Sequence, residues 1–338
     1  MQPFHYQRPD SVESAVIAAR NGAPHAGHEA DAPARFIAGG TTLLDLMKLE
    51  VMRPERLIDI NGLGLDRIEA NGRAVRLGAL VRMSQAADHP MIRADYPVIA
   101  QALQLAASAQ LRNMASLAGN LLQRTRCLYF RDASVRQCNK RMPGTGCAAL
   151  DGENRLHAVL GVSEHCIATY PGDLAVALVA LDAQLDLLGP DGQRTLPLAE
   201  LHLAPGDTPH IETVLRPSEM ITGLVVPSGP WTRRSRYVKV RDRASYEFAL
   251  ASAAVALDME GGAVREARIG LGGVATRPWR ASEAEESLRG QPLDEESAAT
   301  AAEIAFAHAI PREHNAYKIP LGKRTLVRAL LETASLEG

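Results

Sequence analysis

The chain has 338 residues, 46% hydrophobic, 22% charged and only 4% aromatic, with a formal net charge of −2. That length allows two or three domains with substantial cores, and the charge balance and scarce aromatics argue against nucleic-acid binding or a base-stacking platform. No run of about 18 apolar residues occurs; the best stretch, Leu174 to Leu188, is broken by Asp182 and Asp186. The opening MQPFHYQRPD lacks an apolar signal core, which predicts no export signal in this chain and thiols made in a reducing compartment.

Residues 1–60 read as a small α/β unit. Asp10 and Ser11 can cap a helix whose apolar face includes Val12, Ala15, Val16 and Ala19. Asn21 to Ala34, rich in Gly, Ala, Pro and His, predicts a flexible loop. Arg35 to Ala38 reads as a strand that runs through Gly39-Gly40-Thr41-Thr42 into a helix over Leu43 to Leu49, and Glu55 to Ile60 as another strand. The following residues read as mixed α/β. Val75 to Leu80 is strand-like, and Tyr96 to Ala109 is a helix with Val98, Ala102, Leu105 and Ala106 on one face. Ala118-Gly119-Asn120 reads as a turn, and Asp173 to Leu187 as an apolar helix followed by a strand. Pro227-Ser228-Gly229-Pro230 has the composition of a linker. Beyond it, Ala249 to Met259, Gly261-Gly262 and Ala267 to Gly272 predict a β-hairpin. Helices near 281–289, 295–308 and 322–334 complete an α+β C-terminal domain, and no internal repeat is found.

All four cysteines, Cys127, Cys138, Cys147 and Cys166, fall in one stretch that reads as an insertion over residues 124–169. Such confinement points to one thing holding them all: an iron–sulfur cluster, zinc, or two disulfides. The gaps are ten, eight and eighteen residues, so the close Cys-x-x-Cys pairs usual in zinc sites are absent. Six basic residues, Arg124, Arg126, Arg131, Arg136, Lys140 and Arg141, surround the first two thiols, with only Asp132 opposing them. This charge would suit an anionic thiolate cluster; it also suits a solvated face or a docking surface for an acidic partner.

Phe36 to Leu43 has the local form of a phosphate cradle, with two glycines for close backbone approach and two threonine hydroxyls. It is neither a Walker loop nor the G-x-G-x-x-G fingerprint. Ser116-Leu117-Ala118-Gly119-Asn120 is a second small-residue turn carrying a hydroxyl and an amide. Two such turns in one α/β region suit a pyrophosphate held between two lobes.

FIAGGTTLLDLMK, QLRNMASLAGNLLQRTRC and GDLAVALVALDA together resemble the flavin-binding subunit of the molybdenum hydroxylases. RYVKVRDRASYEFALASAAVAL and ARIGLGGVATRPWRASEAE are similar to that family's C-terminal domain. The cysteine insertion, TRCLYFRD followed by CNKRMPGTGCAA and Cys166, resembles a narrower branch. That branch holds the flavin subunits of periplasmic aldehyde oxidoreductase and 4-hydroxybenzoyl-CoA reductase, with an extra [4Fe–4S] cluster.

The resemblance implies an α+β chain. A two-lobed PCMH/VAO-type FAD-binding domain over residues 1–226, with lobes of 1–60 and 61–226, would precede a CO-dehydrogenase-flavoprotein-like domain over 231–338. By position, Phe36, Ile37, Ala38, Gly39, Gly40, Thr41, Thr42 and Leu43 would hold the FAD pyrophosphate. Ser116, Gly119 and Asn120 would touch the ribose and phosphate region, Asp173 the flavin side, Ile221 the isoalloxazine ring, and Lys239 the cofactor. Helix N-capping by Asp173 and a solvated strand position for Lys239 are the plainer readings.

Cys127, Cys138, Cys147 and Cys166 would ligate the [4Fe–4S] cluster, and the resemblance implies no catalytic base or nucleophile in this chain. It implies a large partner carrying molybdopterin cytosine dinucleotide, a small partner with two [2Fe–2S] clusters, and an external electron acceptor. Export with a signal-bearing partner is the implied route to the periplasm, with a cytoplasmic location as the alternative. Related xanthine dehydrogenase or hydroxybenzoyl-CoA reductase complexes, a stand-alone flavin oxidase and a zinc-ordered scaffold remain as rival readings.

Overall fold

The computed structural model describes residues 1–20 and 33–336. Nearly all of the loop expected over Asn21 to Ala34 lies outside the described residues. Three sheets organise the described residues. The first is parallel, with β1 (His5–Gln7) and β2 (Ala34–Ile37) flanking β3 (Arg56–Asp59). Helix α1 (Val12–Arg20) packs on it through Ala15, Ala18 and Ala19. Ser11 starts the helix by accepting from the Ser14 N–H at 3.1 Å, while Ser14 Oγ accepts from the Ser11 N–H, a reciprocal cap in which Ser11 was the expected residue and Ser14 was not.

The second sheet is antiparallel, in the order β4-β5-β8-β6-β7, from β4 (Ile68–Ala70), β5 (Ala74–Gly78), β6 (Gln184–Gly189), β7 (Gly192–Pro197) and β8 (Met220–Pro227). Helix α2 (Leu43–Lys48) joins β2 to β3 in the first sheet, and between β5 and β6 of the second run α3 (Met83–Asp88), α4 (Pro90–Asp95), α5 (Pro97–Leu105), α6 (Ala109–Met114), α7 (Leu117–Leu121), α8 (Leu128–Arg131) and α9 (Asp173–Ala180). Helix α5 ends four residues before the expected Ala109, because Ala107 takes a left-handed φ of 48° and Ser108 caps the next helix. Ala118-Gly119-Asn120 is likewise not a turn. These residues form α7, because Ser116 Oγ accepts from the Gly119 N–H at 3.3 Å.

Every residue of α9 is buried. A helix apolar all round must be covered all round. The second sheet's core covers one side and the C-terminal sheet the other, where a Cβ on Gly270 would overlap the Val176 carbonyl oxygen. Short α10 (Leu198–Leu201) follows β7.

The C-terminal sheet runs β12-β11-β10-β9, from β9 (Ser235–Val240), β10 (Ala251–Glu260), β11 (Ala263–Gly272) and β12 (Trp279–Arg280). The predicted hairpin closes with Glu260 opposite Ala263, and Gly261 and Gly262 at φ 59° and 87°. Two positive φ angles are what a type I′ turn requires. Helices α11 (Ser282–Leu288), α12 (Glu295–Ala305) and α13 (Lys318–Ala334) cover the sheet. The last begins four residues before the expected Gly322, which lies inside it because a Cβ there would overlap the Phe306 ring.

The linker-like Pro227–Pro230 segment is pinned. Ser228 donates its N–H to the Arg73 carbonyl at 2.8 Å, and its hydroxyl lies 2.7 Å from Tyr96 Oη.

Candidate functional site

A cleft of about 490 Å³ opens between the first two sheets. Among its walls are the whole turn Phe36 to Leu43, Ser116, Gly119 and Ile221. The two small-residue motifs therefore meet at one cavity although about 75 residues separate them. Gly39 explains how: a Cβ there would stand 2.6 Å from the Met114 carbonyl carbon. Only glycine lets the first turn pass so close to the backbone that leads into Ser116. Thr42, at the start of α2, makes no side-chain cap bond, so backbone N–H groups of this turn are left for a ligand in the cleft.

Asn120, Asp173 and Lys239 are not in the cleft wall. Asn120 reaches only Met83 Sδ, at 3.5 Å, and its buried Oδ1 has no partner among the described residues. Asp173 does not cap its helix; Gly172 occupies that position. Lys239 is not a solvated strand residue, because its side chain is 1% exposed. Its Nζ donates to Asp173 Oδ2 at 2.8 Å and to the Leu105 carbonyl at 3.0 Å, while Tyr237 Oη donates to Asp173 Oδ1 at 2.7 Å. Burial raises the Asp173 carboxyl, against the pull of Lys239 and Tyr237. Removing one member of such a pair strands the other. Lys239→Ala is expected to destabilise the fold by about 3–5 kcal/mol, read as a fall in the urea midpoint. A wild-type midpoint would show that the pair does not hold the lobes.

The cysteine insertion forms the cleft's other wall through Arg124, Thr125, Lys140, Ala168 and Thr169, with Tyr170 just beyond it. Tyr170 Oη and His202 Nε2 both bond the Leu121 carbonyl, at 3.0 and 2.9 Å, with their rings 4.6 Å apart. They satisfy an orphan carbonyl at the end of α7. Burial pushes His202 down to about 4, so the ring is neutral at neutral pH.

Charge around the thiols is arranged differently from the sequence expectation. Arg126 and Arg131 pair with Asp45 on α2 at 3.1 and 2.8 Å. Arg124 and Lys140 pair with Glu212. Arg141 donates to the carbonyls of Tyr129 and Phe130, at 2.8 and 2.7 Å, and Arg136 is exposed. Most of the basic run therefore ties the insertion to the cleft walls; Lys140 is the member whose charge also reaches Cys166.

Burial would raise the Glu212 carboxyl, but Arg124 and Lys140 outweigh it and hold it at about 2. The folded value lies below the ordinary 4.5, so this contribution is complete above about pH 4.5 and is lost as pH falls through about 2. Glu212→Gln is expected to lower stability at pH 7 and to flatten the acid limb between those values. Urea unfolding across pH 2 to 7 checks it, and an unchanged acid limb would sink it.

All four cysteines are free, so the two-disulfide reading does not hold in this structure. Cys138 and Cys147 face each other across an isolated β-bridge. Cys127 is in electrostatic contact with Cys138 and Cys166, and Cys166 with Cys138 and Cys147. Among the described residues no group of three or more His, Cys, Asp or Glu is drawn into metal-holding range. Backbone N–H groups of Tyr129 and Phe130 serve Cys127, those of Ala149, Leu150 and Ile167 serve Cys147, and that of Ala168 serves Cys166. Burial pushes the Cys127 thiol up to about 12 and Cys166 to about 11.

His165, adjacent to Cys166 in sequence, instead meets Asp207 at 3.3 Å. It is His157 whose Nε2 lies 3.1 Å from Cys127 Sγ. Sequence spacing carried no signal for His157, Glu212 or Asp45, which reach this region only through the fold.

The family model for the FAD binding domain in molybdopterin dehydrogenase matches residues 2–229. The chain belongs to the FAD-binding medium subunits of the molybdenum hydroxylases. The model for the CO dehydrogenase flavoprotein C-terminal domain matches residues 236–333. The chain is 48% identical, over 98% of each sequence, to the aldehyde oxidoreductase FAD-binding subunit PaoB of Escherichia coli (strain K12). Against the reconstituted CO dehydrogenase of Oligotropha carboxidovorans the identity is 25% and the TM-score 0.75, over 99% of both chains. Quinoline 2-oxidoreductase of Pseudomonas putida 86 shares the fold, with a TM-score of 0.74 at 24% identity over 98% of this chain and 97% of that one. The two-part α+β architecture read from the sequence is that of this family, and its members are oxidoreductase subunits.

Proposed function

We propose that this chain is the FAD- and [4Fe–4S]-binding electron-transfer subunit of a heterotrimeric, aldehyde-oxidising molybdenum hydroxylase. It receives electrons from two [2Fe–2S] clusters of a small partner and delivers them to an external acceptor. A large partner with molybdopterin cytosine dinucleotide oxidises the substrate. The observation that carries this reading is that all four free thiols lie on the one loop that also walls the cleft. The 48% identity to an aldehyde oxidoreductase subunit supports the substrate class.

When bound, FAD supplies exchange between one-electron iron–sulfur partners and a two-electron acceptor. The chain's residues position and shield it. The turn from Phe36 to Leu43 offers backbone N–H groups to the pyrophosphate, with Ser116 and Gly119 on the facing side. Ile221 gives an apolar wall for the ring. Asp173 and Lys239 brace the cleft from behind, through Leu105 and Tyr237. Residues 1–226 form the cofactor-binding part in this reading, and residues 231–338 brace it.

Cys127, Cys138, Cys147 and Cys166 have the donor chemistry of a Cys₄ cluster, with backbone N–H groups on three of the sulfurs. The test is iron, sulfide and flavin analysis with an absorption spectrum of the anaerobically purified complex. About eight irons per heterotrimer, with flavin bands bleached by an aldehyde, supports the proposal. About four irons would leave this chain without a cluster. Flavin unreduced by aldehydes would overturn the substrate class. Export beside a signal-bearing partner belongs to the same proposal, tested by cell fractionation with and without the small subunit.

A further inference from the structure

His157 has no part in the cleft, yet its place is closely determined. The residue is buried, 3% exposed, and its N–H donates to the Asn154 carbonyl at 2.9 Å. Asn154 is itself held by donation to the Ala149 carbonyl at 3.1 Å and by the His314 N–H at 2.9 Å. On the other flank, Lys318 donates to the Leu156 carbonyl and Asn315 to the Ala158 carbonyl, at 3.1 and 3.0 Å. The C-terminal domain thus clamps the backbone on both sides of His157, and the ring packs beside Tyr129 with centroids 6.2 Å apart. So many partners fix where the imidazole points.

It points at sulfur: Nε2 is 3.1 Å from Cys127 Sγ, while Nδ1 is buried with no partner among the described residues. A proton on Nδ1 would be a buried N–H without an acceptor, a rare and costly state. The proton therefore belongs on Nε2, which makes the ring a donor to sulfur. The backbone already supplies N–H donors at three of the four cysteines; His157 adds a side-chain donor at Cys127.

Resting on the reading that the four cysteines hold a [4Fe–4S] cluster, we propose that His157 is a positioning residue that tunes the cluster's electron affinity by donating an Nε2–H···S hydrogen bond to Cys127. Such a bond stabilises negative charge on the thiolate, and the reduced cluster carries one more negative charge than the oxidised one. The donor therefore favours reduction and moves the midpoint potential upward. His157 touches a ligand sulfur, not iron or substrate, so its loss acts on potential before it acts on rate.

The experiment uses the whole complex, purified anaerobically, as wild type, His157→Leu and His157→Gln. Iron content, melting temperature and the cluster's midpoint potential from an EPR-monitored titration are read for each. The expected result is wild-type iron in both variants, a more negative potential in His157→Leu, and partial return in His157→Gln, whose amide keeps a donor. Retained iron with an unshifted His157→Leu potential overturns the tuning role and leaves His157 a packing residue.

A second measurement needs no variant. Pulsed EPR of the reduced wild-type complex labelled with ¹⁵N-histidine is expected to show a ring-nitrogen coupling to the cluster, and its absence overturns the proposal even if the variants fail to fold. Wild-type iron equal to the partner's clusters alone would instead sink the cluster reading, a separate outcome.

Discussion

Gly39→Ala is expected to abolish FAD retention and to destabilise the chain by at least about 3 kcal/mol. The added Cβ would overlap the Met114 carbonyl oxygen and stand 3.1 Å from Ala115 Cα. Both obstacles are backbone, so no rotamer change relieves them. Either the glycine turn or the Met114–Ser116 segment must move, and both wall the cleft. Gly40→Ala is the informative contrast. Gly40 has φ 73°, and its Cβ would meet Leu44 Cδ1 at 2.9 Å, the movable end of a side chain. That variant is expected to cost about 1 kcal/mol and to keep part of its flavin. Flavin absorbance per chain and urea unfolding check both; full flavin and wild-type stability in Gly39→Ala would refute the close-approach argument.

Cys127→Ser is expected to cost stability at least as much as turnover. If the cysteines hold a cluster, its binding energy is also folding energy for the loop. Its loss should lower the melting temperature by about 5–10 °C, together with about four irons per chain. Flavin should fall as well, because Arg124, Thr125 and Lys140 of the same loop form part of the cleft wall. Thr125 Oγ1 also receives the Cys127 N–H at 3.2 Å and donates to the Thr169 carbonyl at 2.9 Å, joining the two ends of the insertion. Calorimetry with iron and flavin analysis on the purified complex measures all three. An unchanged melting temperature with lost activity would mean that the loop serves electron flow alone.

The elements that were legible are those whose signal is local. Ser11 caps α1 as its hydroxyl suggested, and Gly261-Gly262 turns the hairpin as its glycines require. Strand β8 was not expected as a strand, and β9 entered only as the strand position read for Lys239. Both carry polar residues among apolar ones, such as Thr222, Arg236 and Lys239; β8 is made a strand by β5 and β6, distant in sequence, and β9 by pairing along the next strand, β10. The Ala118-Gly119-Asn120 helix was misread because one serine hydroxyl decides it.

Pattern and motif by themselves determined that the chain mixes helices and strands and ends in an α+β domain, that its glycine turns suit a phosphate, and that its thiols fall in one segment. These properties depend on residue type and short spacing, which a linear chain displays openly. Only the tertiary structure decided which charge meets which. Asp45 takes Arg126 and Arg131, Glu212 takes Arg124 and Lys140, and Lys239 is buried against Asp173 rather than solvated. Coulombic and hydrogen-bond energies act over a few ångströms of space. The 66 to 88 residues between most of these partners hold no record of that distance until the sheets pack.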